Sequence, residues 1–183
     1  MASDDISELI KEMRTEVVGQ IVDDYIPPQS VPEQWDVEGL QQAIDTEFAT
    51  HQNIQQWLDE DDQLYEEQLK LKIDEILTAD YADKCRAVGD KMSTFEKQIT
   101  LQILDGLWKD HLATMDHLRQ GIFLRSYGGK NPRQEYKREA FALFQDLMTN
   151  LQQEVVKVLS HVKIRQEDEV DVIERQREQE RAR

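Results

Sequence analysis

Two helical patterns meet in the stretch LWKDHLATMDHLRQGIFLRSYGGKNPRQEYKREAFALF, residues Leu107–Phe144. Before its glycine pair, apolar residues recur in steps of three and four, which predicts a heptad seam formed by Leu101, Leu104, Trp108, His111, Met115, Leu118 and Ile122. A second stripe follows, formed by Tyr136, Ala140, Phe144, Leu147, Leu151, Val155, Val158 and Val162. Gly128, Gly129 and Pro132 allow the chain to reverse between them. The stretch therefore predicts a long antiparallel two-helix hairpin that begins near Ser93.

Matching the two stripes across the reversal predicts which residues face each other. The expected pairs are Ile122 with Tyr136, Leu118 with Ala140, Met115 with Phe144, and His111 with Leu147. Trp108 is expected to be buried in this seam, where its replacement by alanine would cost about 3–5 kcal/mol. Each arm has about 33 residues, so at ~1.5 Å per residue the hairpin would be roughly 50 Å long.

The first half of the chain predicts shorter helices. Ile6, Ile10, Met13, Val17 and Ile21 share one helical face until Pro27 and Pro28 end the helix. Asp36 is expected to cap a short helix whose inward residues are Val37, Leu40, Ile44 and Phe48. The stretch WLDEDDQLYEEQLKLKIDEIL begins another helix, with Leu69, Ile73, Ile76 and Leu77 inward. Trp35 and Trp57 are expected to anchor this core. The fold class is all-α, with a small acidic helical subdomain beside the hairpin.

Charge divides the 183 residues into two unlike halves. Residues 1–80 hold 21 acidic and 4 basic residues, whereas residues 81–183 hold 17 acidic and 18 basic residues. The whole chain has a net charge of -16. Because an acidic half repels phosphate backbones, nucleic acid is an unlikely partner.

Cysteine content and hydropathy bear on where the protein works. A single cysteine, Cys85, excludes an internal disulfide, and no group of histidines and cysteines has metal-ligand spacing. No apolar run is long enough to span a bilayer, and the acidic N-terminus does not resemble a signal peptide. These features lead us to expect a reducing, cytoplasmic location and no bound metal.

Two apparent catalytic motifs fail on their details. Gly128–Lys130 resembles a phosphate loop, but Asn131 stands where a serine or threonine would hold magnesium, and no strand precedes it. Asp110 beside His111 is a pair of sequence neighbours, which point in different directions on a helix. We therefore expect that this chain is not an enzyme and neither binds nor hydrolyses ATP.

Three stretches carry a resemblance to a known family. YIPPQSVPEQWDVEGL, the stretch from Leu107 to Phe144, and VLSHVKIR resemble the C-terminal helical part of the SecA family, the bacterial preprotein translocase motors. The resemblance runs from about Ile6 to Arg165 with order and spacing kept.

That resemblance implies a division of the chain. Residues 1–19 would end a long scaffold helix, residues 20–90 would form the helical wing domain, residues 91–165 the scaffold hairpin called the two-helix finger, and residues 166–183 the start of a C-terminal linker. The motor domains that hold ATP and magnesium, the preprotein cross-linking domain and the zinc-binding tail of the family have no counterpart here. The resemblance thus implies a non-catalytic part of a protein-translocating ATPase that needs no cofactor of its own.

The resemblance also implies partners and a site. In the family, the finger enters the cytoplasmic mouth of the SecYEG channel, a tip tyrosine contacts the translocating preprotein, and the hairpin regulates the motor ATPase. By motif position that tyrosine is Tyr127, with Arg125, Lys130 and Arg133 beside it at the fingertip. The missing motor and cross-linking domains would be further partners, and the parent protein would associate peripherally with the inner face of the bacterial membrane.

Other interpretations stay open at this point. One alternative is that the chain acts as a free-standing coiled-coil adaptor that binds partner helices. Another alternative is a hairpin that binds RNA or anionic lipid. It would use a basic cluster formed by Arg125, Lys130, Arg133, Lys137 and Arg138, whose local charge is +4 when Glu135 is included. Tyr127 itself would have only a structural role if it packed on Phe123 or Pro132 to close the turn.

Overall fold

The computed structural model describes residues 6–61, 64–124, 129 and 131–162, and the described part contains helices and no strand. This confirms the prediction of an all-α protein. The helices are α1 (Ser7–Tyr25), α2 (Val37–Phe48), α3 (Ile54–Glu60), α4 (Glu66–Val88), α5 (Lys91–Gly121) and α6 (Pro132–His161). Residues Pro32–Gln34 and residues 122–124 have 3-10 conformation.

Helix α1 follows the predicted apolar face. Its buried residues include Ile10, Met13, Val17 and Ile21, and it ends at Tyr25, just before Pro27. Proline cannot donate a backbone hydrogen bond and disfavours helix in the residue before it, which explains the end. The predicted domain boundary after residue 19 falls inside α1, so no break in the helix marks it.

Helix α2 begins at the predicted cap. The side chain of Asp36 accepts a 2.9 Å hydrogen bond from the backbone N–H of Gly39. Leu40, Ile44 and Phe48 are buried, as expected from their spacing. This cap satisfies one of the free N–H groups at the helix start, and the acidic side chain also suits the positive end of the helix dipole.

The next stretch does not form the single helix expected from it. Helix α3 is capped by Asn53 and ends at Glu60, and α4 begins separately at Glu66. The acidic residues that start at Asp59 lie at the negative end of the α3 dipole, where they are unfavourable, whereas Glu66 and Glu67 lie at the favourable start of α4. Within α4 the predicted inward residues Leu69, Ile73 and Leu77 are buried, and Ile76 is half-buried.

One hydrophobic core joins the elements. It contains side chains of α1, α2, α4 and α6, together with Ile54 of α3 and Met92 at the start of α5. Trp35 and Trp57 are half-buried and pack against its edge, so they cover the core rather than sit inside it. The Trp57 ring is covered on its outer side by Lys72, whose Nζ lies 4.7 Å from the ring centroid.

Each of the two long helices packs into the core at one of its ends. Helix α5 contributes core contacts from Met92 to Leu107, and α6 contributes them from Leu151 to Leu159. The first half of α5 and the last half of α6 therefore lie together, and the two helices run in opposite directions. The aromatic rings of His111 and Phe144 meet farther out, with centroids 6.4 Å apart.

The predicted seam of α5 is wrong at two positions. Leu101 is 59% exposed and Trp108 is 44% exposed, while Leu107 is half-buried and packs against the core in place of Trp108. Leu104, His111, Met115 and Leu118 of the predicted seam are half-buried. Between Leu104 and His111 the inward position is therefore taken by Leu107 instead of Trp108.

On α6 the predicted stripe holds in the middle. Leu147, Leu151 and Val155 are buried, but Phe144 is 47% exposed. Near the end of α6, Val156 and Leu159 are buried as well, because α6 there packs against both α1 and α2. A helix contacted from two sides buries more than one stripe.

Candidate functional site

The predicted fingertip lies where α5 and α6 are joined. Three of its four predicted residues, Arg125, Tyr127 and Lys130, lie outside the described residues. So does the predicted packing of Tyr127 against Phe123 or Pro132. Arg133 is described and lies in the first turn of α6, with its side chain exposed to solvent.

The start of α6 fixes the direction in which Arg133 leaves the turn. Asn131 caps the helix, and its side-chain oxygen accepts a 3.0 Å hydrogen bond from the backbone N–H of Arg133. Pro132 occupies the first helical position, where its lack of an N–H has no cost. Arg138 pairs with Glu135 at 2.6 Å on the next turn. The described members of the basic cluster, Arg133, Lys137 and Arg138, therefore lie on the capped start of α6.

Large apolar side chains lie directly after α5, on the other side of the turn from Arg133. Phe123 is 73% exposed and Leu124 is 70% exposed. Both precede the turn directly, so an apolar surface and the exposed cation of Arg133 lie on the chain segments that flank Tyr127. This combination suits a partner that offers both apolar and anionic or carbonyl groups.

A second apolar surface runs along the outside of the hairpin. We call it the outer apolar row, and its members are Leu101, Trp108 and Leu112 of α5 with Phe141, Phe144 and Met148 of α6. These side chains are 39–61% exposed. The Trp108 and His111 rings lie 5.4 Å apart, and His111 in turn contacts Phe144, so aromatic contacts connect the two helices. Contiguous exposed apolar side chains are a common feature of interaction surfaces.

A buried polar cluster connects α1, α4 and α5. The hydroxyl of Tyr81 donates a 2.8 Å hydrogen bond to the carboxylate of Glu96, and the guanidinium carbon of Arg14 lies 4.2 Å from the centroid of the Tyr81 ring. Arg14 is 3% exposed and Glu96 is 2% exposed. Buried charges are tolerated when they are paired and hydrogen-bonded, so this cluster fixes how the three helices meet.

The environment of the cluster shifts the protonation of its members. Burial raises the pKa of Tyr81, and the hydrogen bond to Glu96 raises it further. Burial also lowers the pKa of Arg14, an effect that Tyr81 and Asp74 oppose. The pKa of Cys85 is raised by burial and then by Glu96. A thiol with a raised pKa is a poor nucleophile, so Cys85 is a packing residue here.

Other expected absences concern only the described residues. Within residues 6–61, 64–124, 129 and 131–162, no group of three or more histidine, cysteine, aspartate and glutamate side chains is placed to hold a metal ion. In the same part of the chain, no helix has the length and apolar character needed to cross a membrane.

Two features of the site were not expected from the sequence. Leu112, Phe141 and Met148 of the outer apolar row lie off the predicted seams, and counting apolar residues outside the seams would have identified them. The Arg14, Tyr81 and Glu96 cluster carries a weaker signal. Arg14 follows Met13 on the apolar face of α1, and that position alone suggests that its charge has a buried partner.

Comparison with known proteins assigns the chain to a family. The family model of the SecA wing and scaffold domain matches residues 1–163, which include the helices α1 to α6 of the described part of the chain. The chain therefore belongs to the SecA wing and scaffold domain family. Membership in this family favours the translocase interpretation over that of a free-standing adaptor.

Curated relatives agree with this assignment. The chain is 53% identical over 172 residues to the protein translocase subunit SecA of Pseudomonas putida (strain W619), covering 93% of this chain and 19% of that protein. It is 53% identical over 169 residues to SecA of Ectopseudomonas mendocina (strain ymp), covering 92% and 19%. With SecA of Pseudomonas syringae pv. syringae (strain B728a) it shares 52% identity over 169 residues, covering 92% and 18%. The chain thus spans about a fifth of the length of these relatives.

Proposed function

We propose that this chain is the wing and scaffold part of a SecA protein translocase subunit and that its α5–α6 hairpin contacts the preprotein at the mouth of the SecYEG channel. The observation that carries the proposal is the match to the SecA wing and scaffold domain over residues 1–163. ATP hydrolysis belongs, in this proposal, to the motor domains of such a subunit. The part described here transmits and applies the motion.

The shape of the hairpin supports a mechanical role. Helices α5 and α6 have 31 and 30 residues, which gives a length of about 45 Å at 1.5 Å per residue. The core holds only the first half of α5 and the last half of α6. A pair of packed helices anchored at one end moves as a rod, so a small rotation of the core displaces its free end by a larger distance.

Tyr127 is the proposed contact to the moving polypeptide. A tyrosine ring offers apolar area and a hydroxyl while only two side-chain torsions become fixed on contact, which suits repeated contact with unfolded chains of any sequence. The exposed side chains of Phe123 and Leu124 extend the apolar surface beside it. Arg125, Lys130 and Arg133 add positive charge for channel loops and for anionic lipid at the inner face of the bacterial membrane.

Regulation of the motor ATPase is proposed for the outer apolar row. Its exposed members need a partner to remove them from water, and the motor and cross-linking domains of the subunit are large enough to supply one. The buried cluster of Arg14, Tyr81 and Glu96 connects α5 to α1 and α4. Movement of the hairpin would therefore reach the scaffold helix directly.

The test uses the complete translocase subunit with SecYEG vesicles and a preprotein. Tyr127→Ala is expected to reduce translocation about tenfold or more, as for the loss of a central aromatic contact, while ATP affinity and melting temperature stay unchanged. Tyr127→Phe, which keeps the ring, should retain most activity. Leu71→Ala serves as the control, because Leu71 is 63% exposed but lies on α4, away from the hairpin.

Two results would contradict the proposal. Translocation by Tyr127→Ala might equal that of the Leu71→Ala control, in which case the tyrosine makes no contact that matters. Alternatively, activity and melting temperature might fall together, and Tyr127 would then be a packing residue of the turn.

A further inference from the structure

We propose that an open cleft in the first half of the chain binds an extended peptide that presents a large apolar side chain between lysines or arginines. The cleft has a volume of about 500 Å³ and lies between the 3-10 turn, α2, α3 and the start of α4. We call it the wing cleft. Its lining consists of Pro32, Trp35, Asp36, Val37, Glu38, Gln55, Leu58, Asp61, Leu64 and Tyr65.

The floor of the wing cleft is apolar and held in place. Trp35 is half-buried, and its indole N–H donates a 3.0 Å hydrogen bond to the hydroxyl of Ser30. The polar edge of the indole is therefore satisfied and its apolar face remains available. Leu64 is buried, whereas its neighbour Tyr65 is 60% exposed. A large side chain entering the cleft would bury Trp35 and Tyr65 further, which is the usual source of affinity at such a site.

The rim of the wing cleft is acidic. Asp36, Glu38 and Asp61 are exposed among its lining residues, and no lining residue is basic. In the sequence from Asp59 to Glu67 there are six acidic residues and no basic one. The carboxylates raise the local concentration of cations and repel phosphates, so the matching partner is positively charged.

The nearest lysines along the chain do not neutralise this rim. Lys70 pairs with Asp23 at 2.7 Å and with Glu67 at 3.1 Å. Lys72 lies over the ring of Trp57. Both ammonium groups are thus engaged at other places, and neither pairs with Asp36 or Glu38.

The shape of the cleft favours a peptide over a small molecule. Six of its ten lining residues are exposed, so the cleft is an open trough that cannot enclose a small ligand on most sides. A symmetric pair in which the wing clefts of two copies face each other is disfavoured, because two acidic halves, each with 21 acidic and 4 basic residues in 1–80, would meet. A cationic extended segment fits both the charge and the open shape.

The proposal is tested by nuclear magnetic resonance titration of the 183-residue chain. The probe is a short synthetic peptide in which leucine and phenylalanine alternate with lysine. We expect the indole signal of Trp35 and the amides of Val37 and Tyr65 to shift, and the indole signal of Trp108 to stay. Matched peptides with glutamate for lysine, or serine for the apolar residues, should not bind.

Variants assign the binding to this cleft. Tyr65→Ser should weaken the peptide about tenfold, as expected for a central aromatic contact. Glu38→Gln combined with Asp61→Asn should weaken it at low salt and flatten the salt dependence, because the rim charges act within a screening length of about 8 Å at physiological ionic strength. Asp105→Asn combined with Asp110→Asn removes the same charge from α5 and should leave binding unchanged.

Three outcomes would overturn the proposal. The peptide might not bind, or it might bind equally to Tyr65→Ser and to the unchanged chain. Shifts might instead appear at Trp108 and Phe144, which would assign the peptide to the outer apolar row. Since the measurement uses neither SecYEG nor ATP, its failure leaves the proposed translocation role unaffected.

Discussion

Tyr81 and Glu96 join the wing half of the chain to the hairpin through a hydrogen bond of 2.8 Å between the phenol hydroxyl and the carboxylate. The two residues lie on α4 and α5, on either side of the turn at Gly89, whose φ of 71° ends α4. Both side chains are buried, at 8% and 2% exposure. The bond therefore fixes the angle at which α5 leaves the wing half.

Removing the hydroxyl of Tyr81 should show how much this hydrogen bond contributes to the free energy of unfolding. In Tyr81→Phe the carboxylate of Glu96 stays buried but loses its donor, so the free energy of unfolding should fall by about 1–3 kcal/mol. Tyr65→Phe, at an exposed tyrosine on the same segment, should change it by less than about 0.5 kcal/mol. Urea unfolding followed by circular dichroism measures both. Equal stability of the two variants would contradict the hydrogen bond.

Alkaline pH should weaken the same junction. Burial and the bond to Glu96 raise the pKa of Tyr81 above its ordinary value of 10.0, so the folded protein keeps this proton longer than the unfolded chain. The stabilisation is complete below pH 10 and is lost as the pH rises above it, at up to about 1.4 kcal/mol per pH unit. The stability difference between the protein and Tyr81→Phe should shrink in that range. Parallel stability curves for the two would contradict the prediction.

Gly39 should be intolerant of a side chain. A methyl group there would clash with the carboxylate of Asp36 and would lie 2.7 Å from the ring of Tyr25. Gly39→Ala should therefore push aside the cap of α2 and lower the free energy of unfolding by about 1–3 kcal/mol. Gly106→Ala, in α5 with open space around it, should raise stability by about 0.5–1 kcal/mol. Thermal unfolding compares the two, and the same sign for both would be the contrary result.

The all-α class, the start of α2 after Asp36 and the end of α1 before Pro27 were predictable, because caps and prolines act on the local backbone. The split between α3 and α4 was not predictable. It depends on two opposing effects of acidic residues, which are unfavourable at the end of α3 and favourable at the start of α4. The exposure of Trp108 was not predictable either, because it depends on Leu107 packing against the core in its place.

The candidate site was predictable to different degrees along the chain. Arg133 follows a visible Asn-Pro helix start, and its exposed place on α6 agrees with that pattern. The contact between Tyr81 and Glu96 depends on packing between helices, to which no local pattern points. Tyr127 as a fingertip residue comes from the family resemblance and stays a prediction.

Trp108 should matter less for stability than a heptad seam implies. With 44% of its surface exposed, Trp108→Ala should lower the free energy of unfolding by only about 1 kcal/mol. Leu151→Ala on α6, at a position that is 5% exposed, should cost about 2–5 kcal/mol. Chemical denaturation provides the comparison. If Trp108→Ala were the more damaging change, the ring would be buried and the inward position of Leu107 on α5 would be wrong.

Pairs of cysteines can measure the register of the hairpin. A side chain that packs between two helices touches residues on successive turns of the other helix. Phe144 contacts His111, and the matched stripes also predict Met115 beside it. Leu101 lies more than two turns from His111 along α5 and provides the control position.

The expected result follows from the reach of a disulfide, whose Cβ atoms lie about 3.8 Å apart. In a Cys85→Ser background, Phe144→Cys combined with either His111→Cys or Met115→Cys should oxidise to an intramolecular bridge, whereas Phe144→Cys with Leu101→Cys should not. Non-reducing electrophoresis and peptide mass analysis detect the bridge. Because one helical turn advances 5.4 Å, efficient oxidation of the Leu101 pair would mean that α6 is shifted along α5 by more than two turns, and the register would be wrong.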